Sequence, residues 1–213
     1  VSAAGGRVRI GIVDHGAGNL VSIAQALEAT GGVPTLVRRP TDLVALDALV
    51  VPGVGAAAPA MRRLAGRGLV GSIRAWVADG RPFLGICLGL QLLFEASDED
   101  GASTLGLLGG RTVRLAGAPT LPHIGWNQVE RRRPHPLFDG IADGADFYFV
   151  HSYAGRPSAA DASAVLADTC HGEPFVSAVA RDALVGVQFH PERSGDDGLR
   201  LLANFVGLAG RAA

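Results

Sequence analysis

Only two of the 213 residues are cysteine, Cys87 and Cys170, and aromatic side chains make up just 6%. A chain of this size buries enough apolar surface to stand without disulfides, so both thiols are read as reduced. Charge is scarce too: 19 basic and 20 acidic side chains leave a net charge of −1. That balance gives no electrostatic footprint for nucleic acid or an anionic membrane, and the one basic run, Arg131-Arg132-Arg133, fits a solvated turn. No apolar run reaches the ~20 residues of a membrane helix. Val1 to Arg9 lacks the apolar centre of a secretory signal, and a cytoplasmic location is expected. The histidines, His15, His123, His135, His151, His171 and His190, show no paired ligand spacing, so neither a metal nor another cofactor is expected.

What the chain does have is apolar content, 48%, and 30 glycines, which together suit a globular fold with many tight turns. Arg7 to Asp14 is a short β-branched run that ends in His15-Gly16-Ala17-Gly18-Asn19 and passes into helical spacing over Leu20 to Leu27. The pattern recurs. Val33 to Val37, Asp47 to Val51 and Pro82 to Ile86 read as strands, and Ala60 to Leu64 and Ser72 to Ala78 as helical. Such alternation predicts an α/β fold with a mostly parallel central sheet and helices on both faces, its functional groups gathered beyond the carboxyl ends of the strands. After about Leu105 the pieces shorten: Gly110 to Leu115, Trp126 to Glu130, Phe147 to Tyr153, Ala164 to Ala167, Phe175 to Arg181 and Leu184 to Phe189. Several abut without room for a crossover helix, which predicts an antiparallel portion in the C-terminal half. A last helix over Leu199 to Leu208 closes what reads as one domain over 1–213, with residues 1–6 as a loose extension.

Cys87 follows the apolar strand Pro82 to Ile86 and is flanked by Gly85 and Gly89. A sharp strand-to-helix turn of this kind lifts a nucleophile above a sheet, at a helix N-terminus whose free N–H groups favour a thiolate. Read alone, the pattern also describes a small buried cysteine among packing glycines. His190 ends the strand Leu184 to Phe189, and Glu192 stands two residues on, so a thiol, an imidazole and a carboxylate are present in the roles of nucleophile, base and orienting acid. Pro52-Gly53-Val54-Gly55 follows another strand. A backbone N–H from it, with that of Leu88, would form an oxyanion hole; the alternative is a plain strand-to-helix turn. Gln91 shares a helical face with Cys87. Trp126 reads equally as an interface anchor or a core residue.

Together, Gly85-Ile86-Cys87-Leu88-Gly89, Gln188-Phe189-His190-Pro191-Glu192 and Pro52-Gly53-Val54-Gly55 make the chain resemble the class I, triad-type glutamine amidotransferases. Asp14 to Leu20, Cys87 to Glu95, Leu121 to Asn127 and Phe147 to Tyr153 resemble in particular the glutaminase subunits of imidazole glycerol phosphate synthases. The resemblance implies that Cys87 attacks the carboxamide of glutamine, that His190 and Glu192 complete the triad, and that Gln91, His151, Ser152 and Tyr153 hold the substrate. It implies a heterodimer with a (β/α)8-barrel cyclase subunit of histidine biosynthesis, met by Asn19, Trp126, Asn127 and Arg193. Ammonia would pass to a phosphoribulosyl-formimino aminoimidazole carboxamide ribonucleotide.

Two positions depart from the family's pattern: His15 stands where tyrosine is usual, and Arg193 where lysine is usual. A glutaminase subunit serving another synthase remains an open alternative, as do, from the residues alone, a cysteine peptidase or related hydrolase on a similar sheet and a non-catalytic binding subunit.

Overall fold

The computed structural model describes residues 7–212, so the loose extension expected over residues 1–6 lies outside the described residues. The first half alternates strand and helix: β1 (Arg9–Val13), α1 (Leu20–Ala29), β2 (Val33–Val37), β3 (Ala48–Val51), α2 (Ala57–Gly66), α3 (Leu69–Ala78), β4 (Phe83–Ile86) and the single turn α4 (Leu88–Gln91). The second half is strand-rich: β5 (Ala96–Ser97), β6 (Gly110–Arg114), β7 (His123–Arg131), β8 (Ala145–His151), β9 (Tyr153–Pro157), β10 (Val165–His171), β11 (Glu173–Arg181) and β12 (Leu184–Val187), before the closing helix α5 (Gly195–Ala212).

Nine strands form one sheet in the order β2-β1-β3-β4-β12-β11-β10-β7-β8. From β2 to β12 every pairing is parallel, and from β12 to β8 every pairing is antiparallel. The fold is therefore the expected α/β architecture with an antiparallel C-terminal portion.

Alternation along the strands explains the two apolar layers. Ile10, Ile12, Ala48, Val50, Leu84 and Ile86 face one core, closed by Ile23 and Leu27 of α1 and by Leu201, Leu202 and Phe205 of α5. Val13, Leu49, Val51 and Phe83 face the other, closed by Leu64 of α2 and by Ile73 and Trp76 of α3. Each fully buried Leu, Ile or Phe contributes about 1.5–3 kcal/mol, so both layers are needed to hold the sheet flat against its helices.

One expectation is corrected. Phe147 to Tyr153 is not one strand. It breaks at Ser152, where β8 leaves the large sheet's edge and β9 joins a separate three-stranded sheet, β5-β6-β9. The expected helix after Cys87 is present as a single turn. The carbonyls that would continue it, those of Leu92, Leu93 and Phe94, accept instead from the N–H groups of Leu105, Leu107 and Gly106, so the 105–108 loop caps the turn.

Candidate active site

β4 and β12 are parallel neighbours, with Ile86 opposite Val187. The residues that follow them therefore emerge at the same sheet end. Cys87 sits at φ 53°, ψ −104°, a conformation rare outside glycine, and its side chain is 4% exposed. The turn depends on missing β-carbons: one added at Gly85 would lie 2.6 Å from the Gly89 carbonyl oxygen, and one at Gly89 would fall on the Val51 carbonyl. The cost of the positive φ at Cys87, of order 1–3 kcal/mol, is held by this close packing.

His190 is fixed from several sides. Its N–H donates to Tyr148 O at 2.8 Å, its carbonyl accepts from Ser194 Oγ at 2.6 Å, and the preceding Phe189 packs against Phe147 with ring centroids 4.2 Å apart. Its Nδ1 donates to Glu192 Oε1 at 2.9 Å. Nε2 is buried without a hydrogen-bond partner. Burial pushes the imidazolium down, but the Cys87 thiol and the Glu192 carboxylate favour the charged ring and raise it to about 10. Of the two, the hydrogen bond to Glu192 is the one with defined geometry.

Gln91, His151, Ser152, Tyr153 and Gly55 line one cleft with Cys87, of about 140 Å³, together with Glu99, Pro122 and Val150. Gly53 and Val54 lie instead in a second cavity of about 340 Å³, with Gly18, Asn19, His190, Glu192 and Arg193. Val150 borders both. The Leu88 N–H, read from sequence as an oxyanion donor, is directed at the Gly53 carbonyl at 3.3 Å, so in this conformation that donor is already engaged. His15 is fully buried beneath this loop, with Nε2 donating to Pro52 O at 2.6 Å. Burial holds its ring neutral.

Trp126 is 56% exposed and sets its edge on Tyr148, over which the Arg193 guanidinium lies at 4.0 Å from the ring centroid. The departure at Arg193 follows a chain-wide usage, since the sequence contains no lysine. Asn19 caps α1, its Oδ1 accepting from Ser22 N. Asn127 points to the other face of β7. Its Nδ2 donates to Cys170 O at 2.9 Å and to His123 Nε2 at 3.2 Å, so the half-buried side chain is engaged on that face and does not lie with Trp126.

Histidines that look scattered in sequence meet here. His123 and His151 are cross-strand partners, His123 Nδ1 donates to His151 Nε2 at 3.1 Å, and His171 stacks on His123 at 4.1 Å. Burial and mutual repulsion hold His123 down to about 4 and His151 to about 3. Among the described residues no group of three or more His, Cys, Asp or Glu side chains is arranged to hold a metal ion.

Sequence reasoning missed Glu99, Val150 and the side chain of Gln188, whose amide nitrogen lies 3.5 Å from Cys87 Sγ. Glu99 and Val150 carry no pattern in sequence. Gln188 had a signal, a polar residue in an otherwise apolar strand end.

Comparison with known proteins agrees with this geometry. The family model for glutamine amidotransferase class-I matches residues 11–208. Among curated relatives, the imidazole glycerol phosphate synthase subunit HisH of Thermosynechococcus vestitus is 48% identical over 203 residues, covering 93% of this chain and 96% of that protein. The subunit of the same name from Microcystis aeruginosa is 46% identical over 201 residues, covering 92% and 94%. Among solved structures, that of PurLQS from Thermotoga maritima covers 95% of this chain and 99% of its own with a TM-score of 0.75 at 19% identity, a likeness of fold. The chain belongs to the class I glutamine amidotransferases, and within them to the HisH subunits of imidazole glycerol phosphate synthase.

Proposed function

We propose that the chain hydrolyses glutamine to glutamate and ammonia through a thioester on Cys87. The ammonia passes to a partner cyclase subunit with a (β/α)8 barrel, for the synthesis of imidazole glycerol phosphate and aminoimidazole carboxamide ribotide in histidine biosynthesis. The observation that supports this reading is that Cys87, which lines an open cleft, and the hydrogen-bonded His190–Glu192 pair follow the paired parallel strands β4 and β12 at the same sheet end.

The Cys87 thiolate attacks the carboxamide carbon, and the carbonyl electrons move onto oxygen. The tetrahedral adduct collapses as the C–N bond breaks, with the His190 imidazolium giving its proton to the departing ammonia. Water then attacks the thioester, losing a proton to His190, and glutamate leaves as the sulphur is regenerated. Glu192 keeps the ring oriented and stabilises its charged form. Thiol, imidazole and carboxylate balance every proton, so the sequence of steps calls for no metal or other cofactor.

In the cleft, Glu99 supplies a negative charge for the α-ammonium of glutamine, and Gln91, His151, Ser152 and Tyr153 form the walls. The Leu88 N–H becomes an oxyanion donor only when the Gly53 carbonyl turns away from it. The adjoining Val54 N–H then turns toward the cleft. That rearrangement is what a partner could control, since Gly53 and Val54 share their cavity with Asn19 and Arg193. Asn19, Trp126 and Arg193 form the partner face in this reading, while Asn127 supports it from inside by holding His123. The chain acts as one amidotransferase domain in the cytoplasm.

The test is glutamate production by the purified chain, alone and with the cyclase subunit, with and without its ribonucleotide ligand. Slow hydrolysis alone and a rise of at least about a hundredfold with both, the scale of a single oxyanion donor, is expected. Full activity from the isolated chain contradicts coupling to a partner.

A further inference from the structure

Gln188 precedes Phe189-His190-Pro191-Glu192, and its side chain is fully buried where an apolar residue would be the ordinary filling. Its Nε2 lies 3.5 Å from Cys87 Sγ, and its Oε1 accepts from Gln91 Nε2 at 3.2 Å. Gln91 Nε2 also donates to Tyr153 O at 2.8 Å. The direction of this chain of bonds is set from one end. A backbone carbonyl only accepts, so Gln91 must present nitrogen to Tyr153. The second hydrogen of that nitrogen meets Gln188, which must answer with oxygen, and the Gln188 nitrogen is left facing the sulphur.

We propose that Gln188 is a further catalytic residue, an N–H donor to the Cys87 sulphur that favours the thiolate, and that Gln91 is the positioning residue that keeps this donor aimed. The proposal rests on the reading of Cys87 as nucleophile and extends it by two side chains.

A hydrogen bond to the charged form favours that form, and more so in a buried site. The other polar neighbour of the sulphur, Val150 O at 4.0 Å, accepts and therefore favours the protonated thiol. Gln188 is the neutral group that works in the opposite sense, alongside the charge of His190. Both hydrogens of Gln91 Nε2 are committed within the protein, which leaves its Oε1 as the atom free to face a ligand.

The test is the pH dependence of Cys87 alkylation by iodoacetamide, followed by peptide-resolved mass spectrometry on the full chain so that the exposed Cys170 is counted separately. Wild type is compared with Gln188→Met, Gln91→Leu and the double variant. Loss of one hydrogen bond to a charged group is expected to raise the alkylation midpoint by about one pH unit in Gln188→Met, a tenfold loss of reactivity at fixed acidic pH. Gln91→Leu is expected to shift it the same way by less. The double variant is expected to match Gln188→Met, because Gln91 acts only through Gln188. An unshifted profile in folded Gln188→Met overturns the proposal, as does full additivity in the double variant. Should Gln188→Met fail to fold, Gln91→Leu decides, and an unchanged midpoint there overturns it. Iodoacetamide is no glutamine analogue, so a shifted profile without glutamate production would sink the functional reading and leave this one standing.

Discussion

The Cys87 N–H donates to the Val187 carbonyl at 2.8 Å, tying the backbone of the proposed nucleophile to the strand that leads to His190. Two residues about a hundred positions apart are thus brought together by one parallel strand pairing, β4 with β12. The remaining alignment comes from short-range packing, with the glycines under Cys87 on one side and the Phe147–Phe189 contact under His190 on the other.

Replacing Cys87 with serine removes the soft nucleophile from a site that otherwise stays packed. Glutamine hydrolysis in the presence of the partner is expected to fall by at least about 10³-fold. The melting free energy should change by less than about 1 kcal/mol, since a small buried side chain is replaced by one of similar size. Glutamate release and thermal melts check the pair of outcomes.

Glu192→Gln retains the shape of the carboxylate but not its charge, and the expected loss of activity is about 10²- to 10⁴-fold. The same variant has a pH signature in stability. His190 is raised to about 10 in the folded protein, from an ordinary value of 6.5. Its favourable interactions with Glu192 and Cys87 are therefore complete below pH 6.5 and fade as pH rises through about 10. The gap in urea midpoint between wild type and Glu192→Gln should be wide at pH 6 and close by pH 10.5. A gap that widens with pH would contradict the assignment.

The buried pair His123 and His151 gives the opposite dependence. Both are held neutral well below 6.5, His123 at about 4 and His151 at about 3, by burial first and neighbouring histidines second. Stability is complete above pH 6.5 and is lost as pH falls toward 4, where the unfolded chain takes up protons that the folded one refuses. His123→Phe should flatten this acid slope in a series of urea titrations.

Glycine positions separate sharply by what a β-carbon would meet. Gly89→Ala places one on the Val51 carbonyl and is expected to cost more than about 3 kcal/mol or to prevent folding. Gly71→Ala, within α3 and with nothing inside 4 Å, should be neutral or stabilising by about 0.5–1 kcal/mol. Equal effects at both sites would contradict the packing described under Cys87.

Trp126→Ala should weaken association with the cyclase by about 2 kcal/mol, roughly thirtyfold, and leave the melting temperature of the isolated chain unchanged. Asn127→Ala should do the reverse, because its amide is spent on Cys170 O and His123. Titration calorimetry with melts on each variant distinguishes the two faces of β7.

Much of the parallel half of the fold was legible because β3 and β4 are apolar runs followed by glycine turns; Asp47 to Val51 and Pro82 to Ile86 match them to within one residue at the start. That Cys87 and His190 leave the sheet at the same end was legible for a related reason, since each follows an apolar strand and has a distinctive neighbour. The break at Ser152 was not, since β8 and β9 join end to end with one residue between them and only the pairing partner of β9, β6, reveals the change of sheet. Nor was the meeting of His123, His151 and His171, which depends on the β7–β8 register and on which face each residue takes. Asn127 shows the same limit: next to Trp126 in sequence, it turns to the opposite side of the strand.

The most direct test uses a diazoketone analogue of glutamine with the full chain and its cyclase, followed by mass spectrometry of the peptides. One adduct is expected, on the buried Cys87, and it disappears in His190→Ala, while the exposed Cys170 stays unlabelled. Labelling of Cys170 in preference to Cys87, or labelling of Cys87 that is indifferent to His190, would contradict that expectation.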